Sequence, residues 1–319
     1  MKNKKTAIIF GISGQDGSYL SHLLLSKGYR VLGVTRNKSL DNLFRLRKLK
    51  IINKIKLLKG KASNLNFCKK IINSKINEIY FLSGYSSVTG SFQNPHISFN
   101  SNVIGILNIL EVVKKNKYKV KVFNAGSGQF YGNNKKNIYD ISSKLEPQSP
   151  YGVSKASSYW LTKIYREHYK IFCCTGVLFN HESPLRSDEF VTKKIIDVSK
   201  KIKNNKNIKL KLGNINVYRD WGWAPEYVNA IWLMLQRNKP IDLIIGSGKV
   251  FSLKEFVREV FFQLGIDKKN LIANLSKFKR NTDIHGYKAD IKLTKKILKW
   301  QPKVNFKKII YKMINDELF

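Results

Sequence analysis

A tyrosine and a lysine four residues apart, in Tyr151-Gly152-Val153-Ser154-Lys155, open a stretch with helical spacing. Residues four apart share one face of a helix, so the Lys155 ammonium lies near the Tyr151 phenol. It favours the phenolate, lowering a pKa that is ordinarily about 10. Tyr151 thereby becomes an acid and base usable near neutrality. In a chain with 15 tyrosines such a pair also arises by chance on an ordinary helix. Ser127, just after a strand about one strand–helix unit earlier, raises the pair above chance. A hydroxyl beside the phenol can share the proton of a sugar or alcohol oxygen. Two residues further on, in "FNAGSGQFYG", stands Gln129. Its amide can hydrogen-bond a hydroxyl but cannot accept a proton at neutral pH.

A second constellation is Gly11-Ile12-Ser13-Gly14-Gln15-Asp16-Gly17, directly after the apolar run "TAIIF". Gly11 permits a tight turn, Gly14 lets the backbone approach a pyrophosphate, and Gly17 lets helix pack on strand. The helix N-terminus then faces the phosphates. Gly11, Ser13, Gly14, Gln15, Asp16 and Gly17 are the expected cofactor contacts. An acid at the end of the second strand would hold the ribose of NAD. Here that strand ends in Thr35-Arg36, and a cation suits the 2′-phosphate of NADP, although Arg36 also reads as a surface residue of a lysine-rich chain.

These residues need a frame. "KTAIIFG", "YRVLGVT", "INEIYFLS", "YKVKVFNAG" and "IFCCTGVLF" read as buried strands. "QDGSYLSHLLLSKG", "SFNSNVIGILNILEVVKK" and "SPYGVSKASSYWLTKIYREHYK" have helical spacing between them. Repeated strand–helix–strand units imply an α/β fold with a doubly wound parallel sheet covered on both faces. Residues 1–178 form the expected dinucleotide-binding domain. Residues 179–319 form mainly a smaller substrate lobe, with some elements returning to the first domain. In that half "NHESPLRSDEFVTKK" reads as a loop and helix start, "IKLKLG" as a short strand, and "APEYVNAIWLMLQR" and "SLKEFVREVFFQLG" as helices.

Composition narrows the class. A chain of 319 residues that is 43% hydrophobic buries a large core, which argues against disorder. The apolar run near the N-terminus is too short for a signal peptide, and no segment approaches the roughly 20 apolar residues of a membrane span. A cytoplasmic protein without a membrane partner is expected. Three cysteines and five histidines show no disulfide or metal spacing; His22 and His168 read as helix-face residues. The net charge of +38 invites a nucleic-acid reading, but the lysines are spread along the whole chain on polar positions. They read as solvated faces, so no nucleic-acid partner is expected.

The glycine turn with Ser127, Tyr151 and Lys155 resembles the set used by extended short-chain dehydrogenase/reductases. "GISGQDGSYL", "SPYGVSKASSYW", "GVLFNHESPLR", "FVTKK", "LGNINVYRDWGWAPEYVNAIWLMLQ" and "LTKKILKWQPKVNF" resemble GDP-mannose 4,6-dehydratases along nearly the whole chain. The resemblance implies a Rossmann fold, NAD(P), a GDP-sugar ligand and a homodimer or homotetramer. It adds Leu82 to the cofactor contacts. It places Ser86, Asn180, Glu182, Val191, Lys194, Arg219, Arg280 and Asp283 at the GDP-sugar, with the cations on the diphosphate and His181 in the ligand-site loop. Read without the family, "NHESP" is an ordinary polar loop and Arg219-Asp220 an ordinary ion pair.

The chain also departs from that pattern. Where those dehydratases have a Ser-Thr-Ser-Glu-type turn, it has Gly126-Ser127-Gly128-Gln129. The hydroxyl that assists oxidation at C4 is kept; the carboxylate that would take the C5 proton is replaced by an amide. Oxidation should survive while elimination slows by about two to four powers of ten. Lys61 stands in place of an Asp that meets the adenine, Asn37 in place of a second Arg, and Leu185 in place of a basic residue; the stretch before Arg280 is shorter. The expected activity is oxidation of a GDP-sugar of manno configuration, hexose or heptose, to its 4-keto form. A full 4,6-dehydratase, a C4 epimerase or reductase, and a non-catalytic dinucleotide sensor share the same residues.

Overall fold

The computed structural model describes residues 4–133, 138–275, 286 and 288–319. Short runs rich in Ile, Val, Leu and Phe form β1 (Thr6–Phe10), β2 (Arg30–Thr35), β3 (Lys56–Lys59), β4 (Glu78–Phe81) and β5 (Lys121–Ser127). Between them lie α1 (Gln15–Ser26), α2 (Phe44–Lys48), α3 (Leu65–Ile71), α4 (Val88–Gln93), α5 (Pro95–Phe99) and α6 (Gly105–Lys115). A π-helical turn, Asn100–Ile104, joins the last two. There follow β6 (Ile138–Tyr139), α7 (Pro150–Tyr169), β7 (Cys173–Leu178), β8 (Asn180–Glu182), α8 (Val191–Asn204), β9 (Leu210–Lys211) and β10 (Tyr218–Trp223). Then come α9 (Ala224–Gln236), β11 (Leu243–Ile245), β12 (Val250–Ser252), α10 (Leu253–Leu264), β13 (Leu271–Ile272), β14 (Lys288–Ala289), α11 (Lys292–Leu298) and α12 (Phe306–Ile314).

Seven strands form one parallel sheet in the order β11-β7-β5-β4-β1-β2-β3. A parallel sheet is covered on both faces, which is why β4 and β7 are buried along their whole length. One face packs on Tyr19, Leu20 and Leu24 of α1 and Ala230, Ile231 and Met234 of α9. The other packs on Ile106, Ile109, Leu110 and Val113 of α6. This is the doubly wound Rossmann arrangement that the strand–helix alternation implies. The strand order reverses between β1 and β4, and at such a switch point the carboxyl ends of the strands open a crevice for ligands.

Beyond β7 a smaller core gathers Ile195 and Ile196 of α8, Trp221 and Trp223 of β10, Phe256 of α10 and Phe306 of α12. Its sheet has the order β12-β10-β8. Strand β11 returns to the edge of the large sheet beside β7, and Leu298 and Trp300 return to its core. The stretch 180–182, read from the sequence as loop, is a strand. It leaves β7 after one residue and pairs in parallel with β10, His181 opposite Gly222.

The 21-residue run Pro95–Lys115, with hydropathy 1.2, is long and apolar enough to cross a membrane, which revises the expectation that no segment approaches that length. Half of that window is buried inside the protein, and its apolar side is part of the core described above. Cys68, Cys173 and Cys174 are free and buried, and burial pushes the Cys68 and Cys173 thiols up to about 12.

Candidate active site

The crevice is a cavity of about 1250 Å³ running from the tips of β2 and β3, past the glycine turn, to the start of α7. Gly11, Ser13, Gly14, Gln15, Asp16, Gly17, Arg36, Leu82, Ser86, Ser127, Gln129, Tyr151, Lys155 and Asn180 all line it.

Gly11 adopts φ +87, and a Cβ there would sit 2.7 Å from the Ser83 backbone nitrogen. Only glycine allows the chain to turn that close to the end of β4. At Gly17 a Cβ would overlap the Gly11 carbonyl, so the third glycine sets the packing of α1 on the turn. Gly14 is the N-cap of α1 and makes no side-chain cap; a Cβ there would meet little besides the Gly11 oxygen at 3.3 Å. The donor end of a 12-residue helix therefore opens on the cavity without a side chain of its own in front. That arrangement fits a diphosphate.

At the other end β5 finishes with Ser127, whose Oγ accepts the Gln129 backbone N–H at 3.3 Å. The short turn Gly128–Phe130 then presents Gln129 to the same cavity. Helix α7 begins beside it. Ser149 caps the helix by accepting the Gly152 N–H at 3.0 Å, and Pro150 occupies its first turn. Tyr151 donates its backbone N–H to Ser91 Oγ at 3.1 Å, and its carbonyl accepts from Ser154 Oγ at 2.8 Å. The backbone carrying the phenol is thus held on both sides. Lys155 is buried, 5.9 Å from the centroid of the Tyr151 ring, and donates to the Ala125 carbonyl at 2.9 Å. Burial pushes its ammonium down to about 8, with the negative charge of Asp16 working the other way.

The third wall comes from β8. His181 Nδ1 lies 2.7 Å from the Phe179 carbonyl, and Nε2 lies 2.9 Å from both Asp16 carboxylate oxygens. Carbonyl and carboxylate oxygens only accept, so both ring nitrogens carry hydrogen and His181 is an imidazolium. Burial alone would lower its pKa, but Asp16 outweighs that and the net shift is upward. For Asp16, burial works to raise the pKa and the imidazolium outweighs it, leaving it lowered. Gln15 completes the joint, donating to Asp16 and to the His181 carbonyl at 3.2 Å and accepting from Ser183 Oγ at 2.7 Å. The helix of the glycine turn and the Asn-His-Glu-Ser segment are one hydrogen-bonded unit.

Four residues expected at the sugar nucleotide do not line this cavity. Glu182 points into the protein, 1% exposed, and accepts from Thr192 Oγ1 at 2.6 Å. Val191 opens α8 beyond the wall, Lys194 is exposed with Nζ 3.3 Å from the Lys211 carbonyl, and Arg219 donates to the Tyr218 carbonyl at 2.7 Å. Asp220 takes three backbone N–H groups, from Ser247, Gly248 and Ala289, at 2.7, 2.8 and 3.2 Å. Neighbouring strand residues face opposite ways, which sets the Arg219-Asp220 ion-pair reading aside. Arg280 and Asp283 lie outside the described residues. Among the described residues no group of three or more His, Cys, Asp or Glu could hold a metal.

Sequence reasoning missed several lining residues: Arg45, Tyr85, Asn100, Ser101, Glu189 and Phe190. Arg45 sits on a five-residue helix with no motif around it, and Glu189 follows the Asn-His-Glu-Ser segment without a spacing signal. The segment itself was the one available pointer.

A doubly wound sheet with a glycine turn, and with Ser127, Tyr151 and Lys155 lining one cavity, has the arrangement of a short-chain dehydrogenase/reductase. Solved structures share the fold over the full chain. UDP-glucose 4-epimerase from Thermotoga maritima with UDP-glucose has a TM-score of 0.86 at 20% identity, covering 98% of each chain. A dTDP-glucose 4,6-dehydratase from Streptomyces venezuelae with NAD bound has 0.85 at 19% identity, covering 97% of this chain and 96% of that one. The family model for GDP-mannose 4,6 dehydratase matches residues 8–313, and the chain belongs to that family. It is 37% identical to GDP-mannose 4,6 dehydratase 1 of Arabidopsis thaliana, over 100% of this chain and 91% of that protein. With the Homo sapiens and Vibrio cholerae enzymes the identity is 34%, over 99% of this chain and 92% and 94% of theirs.

Proposed function

We propose that the protein oxidises a GDP-sugar of manno configuration, a hexose or heptose, at C4 and releases the 4-keto GDP-sugar without efficient loss of water. The observation that carries this reading is Gln129 on the cavity wall two residues from Ser127. Family membership and the GDP-mannose in the names of the relatives support a GDP-sugar. The chemistry of the glycine-turn donors supports a dinucleotide on α1, held by Gly11, Ser13, Gly14, Gln15, Asp16, Gly17, Arg36 and Leu82. The dTDP-glucose 4,6-dehydratases of Bacillus anthracis and Streptomyces venezuelae, which share the fold, were solved with NAD bound. A nicotinamide held there would supply the acceptor for the two electrons and the hydrogen that leave C4.

The chain's own residues handle the proton. Tyr151 removes it from the C4 hydroxyl, Ser127 Oγ shares that hydrogen, and Lys155 holds a positive charge behind the phenolate. Ser86 and Asn180 orient the sugar nucleotide from the opposite wall. The resemblance assigns Val191, Lys194, Arg219, Arg280 and Asp283 to the GDP end of the same ligand, whereas Glu182, buried against Thr192, is left out of that site. Elimination needs a further base at C5. Among the described residues the only carboxylates on the cavity wall are Asp16, held by His181, and Glu189. Glu189 stands near Arg45, toward the tip of β2.

The high identity to dehydratases favours a second reading, full 4,6-dehydration with a water in place of the missing base. Incubating the protein with GDP-mannose or a GDP-manno-heptose and weighing the product decides between them. Loss of two hydrogens supports the first, loss of water the second, and unchanged mass with altered stereochemistry an epimerase. A dimer or tetramer belongs to the same proposal. Val153, Trp160 and Ile164 recur along one face of α7 and are exposed, which supports burial against a second copy.

A further inference from the structure

Tyr85, in the turn between β4 and α4, lines the cavity and is half-buried. The π-helical turn holds its backbone on both sides. The Tyr85 N–H donates to Ser101 Oγ at 3.0 Å, and the carbonyl accepts from Asn102 Nδ2 at 3.2 Å. Such a turn inside a helix is rare and frequently marks a functional site. Here its first residue, Asn100, lines the same cavity.

Two links fix this tyrosine relative to Tyr151. Asn102 Nδ2 also donates to Ser154 Oγ at 3.1 Å, and Ser154 Oγ donates in turn to the Tyr151 carbonyl at 2.8 Å. On the other side the Tyr85 hydroxyl lies against Gly90, where a Cβ would stand 2.2 Å from the phenol oxygen. Glycine at 90 leaves the phenol that place; a methyl group would displace it. The next residue, Ser91, accepts the Tyr151 N–H. The Tyr85 oxygen therefore belongs to the reacting end of the cavity, and it makes no hydrogen bond among the described residues. A phenol both donates and accepts, whereas Val88 and Ile97 on the same wall present only apolar side chains.

A sugar whose C4 meets Tyr151 and Ser127 brings its C3 and C6 hydroxyls to this end. Resting on the GDP-sugar reading above, we infer that Tyr85 is a specificity-determining residue: its phenol hydrogen-bonds a sugar hydroxyl flanking C4, at C3 or C6, and favours sugars that carry it. The bond orients the sugar, and Tyr85 transfers no proton.

The test is calorimetric titration of the full-length protein with GDP-mannose, its 3-deoxy and 6-deoxy analogues, and GDP. The wild type should bind GDP-mannose more tightly than one of the two deoxy analogues. Tyr85→Phe keeps the ring and removes only the hydroxyl. It should weaken GDP-mannose about two- to tenfold, the range of a neutral hydrogen bond, and leave that analogue and GDP unchanged. Gly90→Ala, which puts a methyl group where the phenol oxygen lies, should act in the same way. A wild type indifferent to the loss of either hydroxyl overturns this assignment alone. So does equal weakening of GDP-mannose and both analogues by Tyr85→Phe, a loss that extends to GDP, or no change in either variant. Failure of the wild type to bind any of the four overturns the assignment together with the GDP-sugar reading.

Discussion

His181 and Asp16, 165 residues apart in the chain, meet with the imidazole Nε2 2.9 Å from both carboxylate oxygens. His181 is buried and Asp16 half-buried, and the pair ties the Asn-His-Glu-Ser segment to the glycine turn. Because His181 is raised in the folded state, the stability it contributes is present below its unfolded pKa of about 6.5 and is lost as pH rises through the folded value. Asp16 is lowered, so its contribution is present above about 4 and is lost on acidification. Removing one partner should cost about 3–5 kcal/mol. Thermal melts of Asp16→Asn several degrees below wild type at pH 6, with the gap narrowing as pH rises through the folded pKa of His181, are the expected result. Parallel curves at all pH values would show that the pair is not an ion pair.

Restoring a carboxylate at position 129 should restore elimination. Gln129→Glu is expected to produce 4-keto-6-deoxy product about two to four powers of ten faster than wild type, with oxidation little changed. Mass spectrometry of the product at equal turnover measures this. A wild type that already dehydrates efficiently, with no gain in the variant, contradicts the role given to the amide.

Lys155 is a buried cation pushed down to about 8. Its folded pKa lies below its ordinary value, so the unfolded chain holds more protons between about 8 and 10.5 and this group's contribution rises with pH across that window. Replacement by Met should cut turnover by about two to four powers of ten while raising the melting temperature at pH 7, the gain shrinking by pH 10. Differential scanning calorimetry beside initial rates checks both halves. A variant that is less stable at pH 7 would mean that the bond to the Ala125 carbonyl outweighs the desolvation of the charge.

Tyr151→Phe removes only the hydroxyl. Rates should fall by about two to four powers of ten, with the fold and ligand affinity unchanged, since the residue is anchored through backbone bonds to Ser91 and Ser154. Ligand binding by calorimetry separates this outcome from a misfolded site.

Asp220 accepts three backbone N–H groups and burial pushes it up to about 6. Asparagine presents two donors where Asp220 presents acceptors. Asp220→Asn should therefore lose stability by about 1–3 kcal/mol, while Asp220→Ala loses no less. Chemical denaturation midpoints measure the difference; an unperturbed asparagine variant would show that those bonds are not made.

The sequence by itself determined the parts governed by short-range physics. Strand and helix periods, the three glycines of the turn and the four-residue step from Tyr151 to Lys155 are all legible, because each depends on neighbours within a few residues. The amide at position 129 is legible for the same reason: its inability to act as a base belongs to the side chain alone. What the tertiary structure decided is which distant residues share the cavity. Arg45 reaches Leu185 across 140 residues, and His181 reaches Asp16 across a still longer separation. Glu182 and Arg219, promising as sequence, turned away from the cavity once β8 and β10 had paired and fixed the direction of each side chain. Strand register and the docking of the second lobe set those directions. They follow from the packing of the whole chain, which no local pattern encodes.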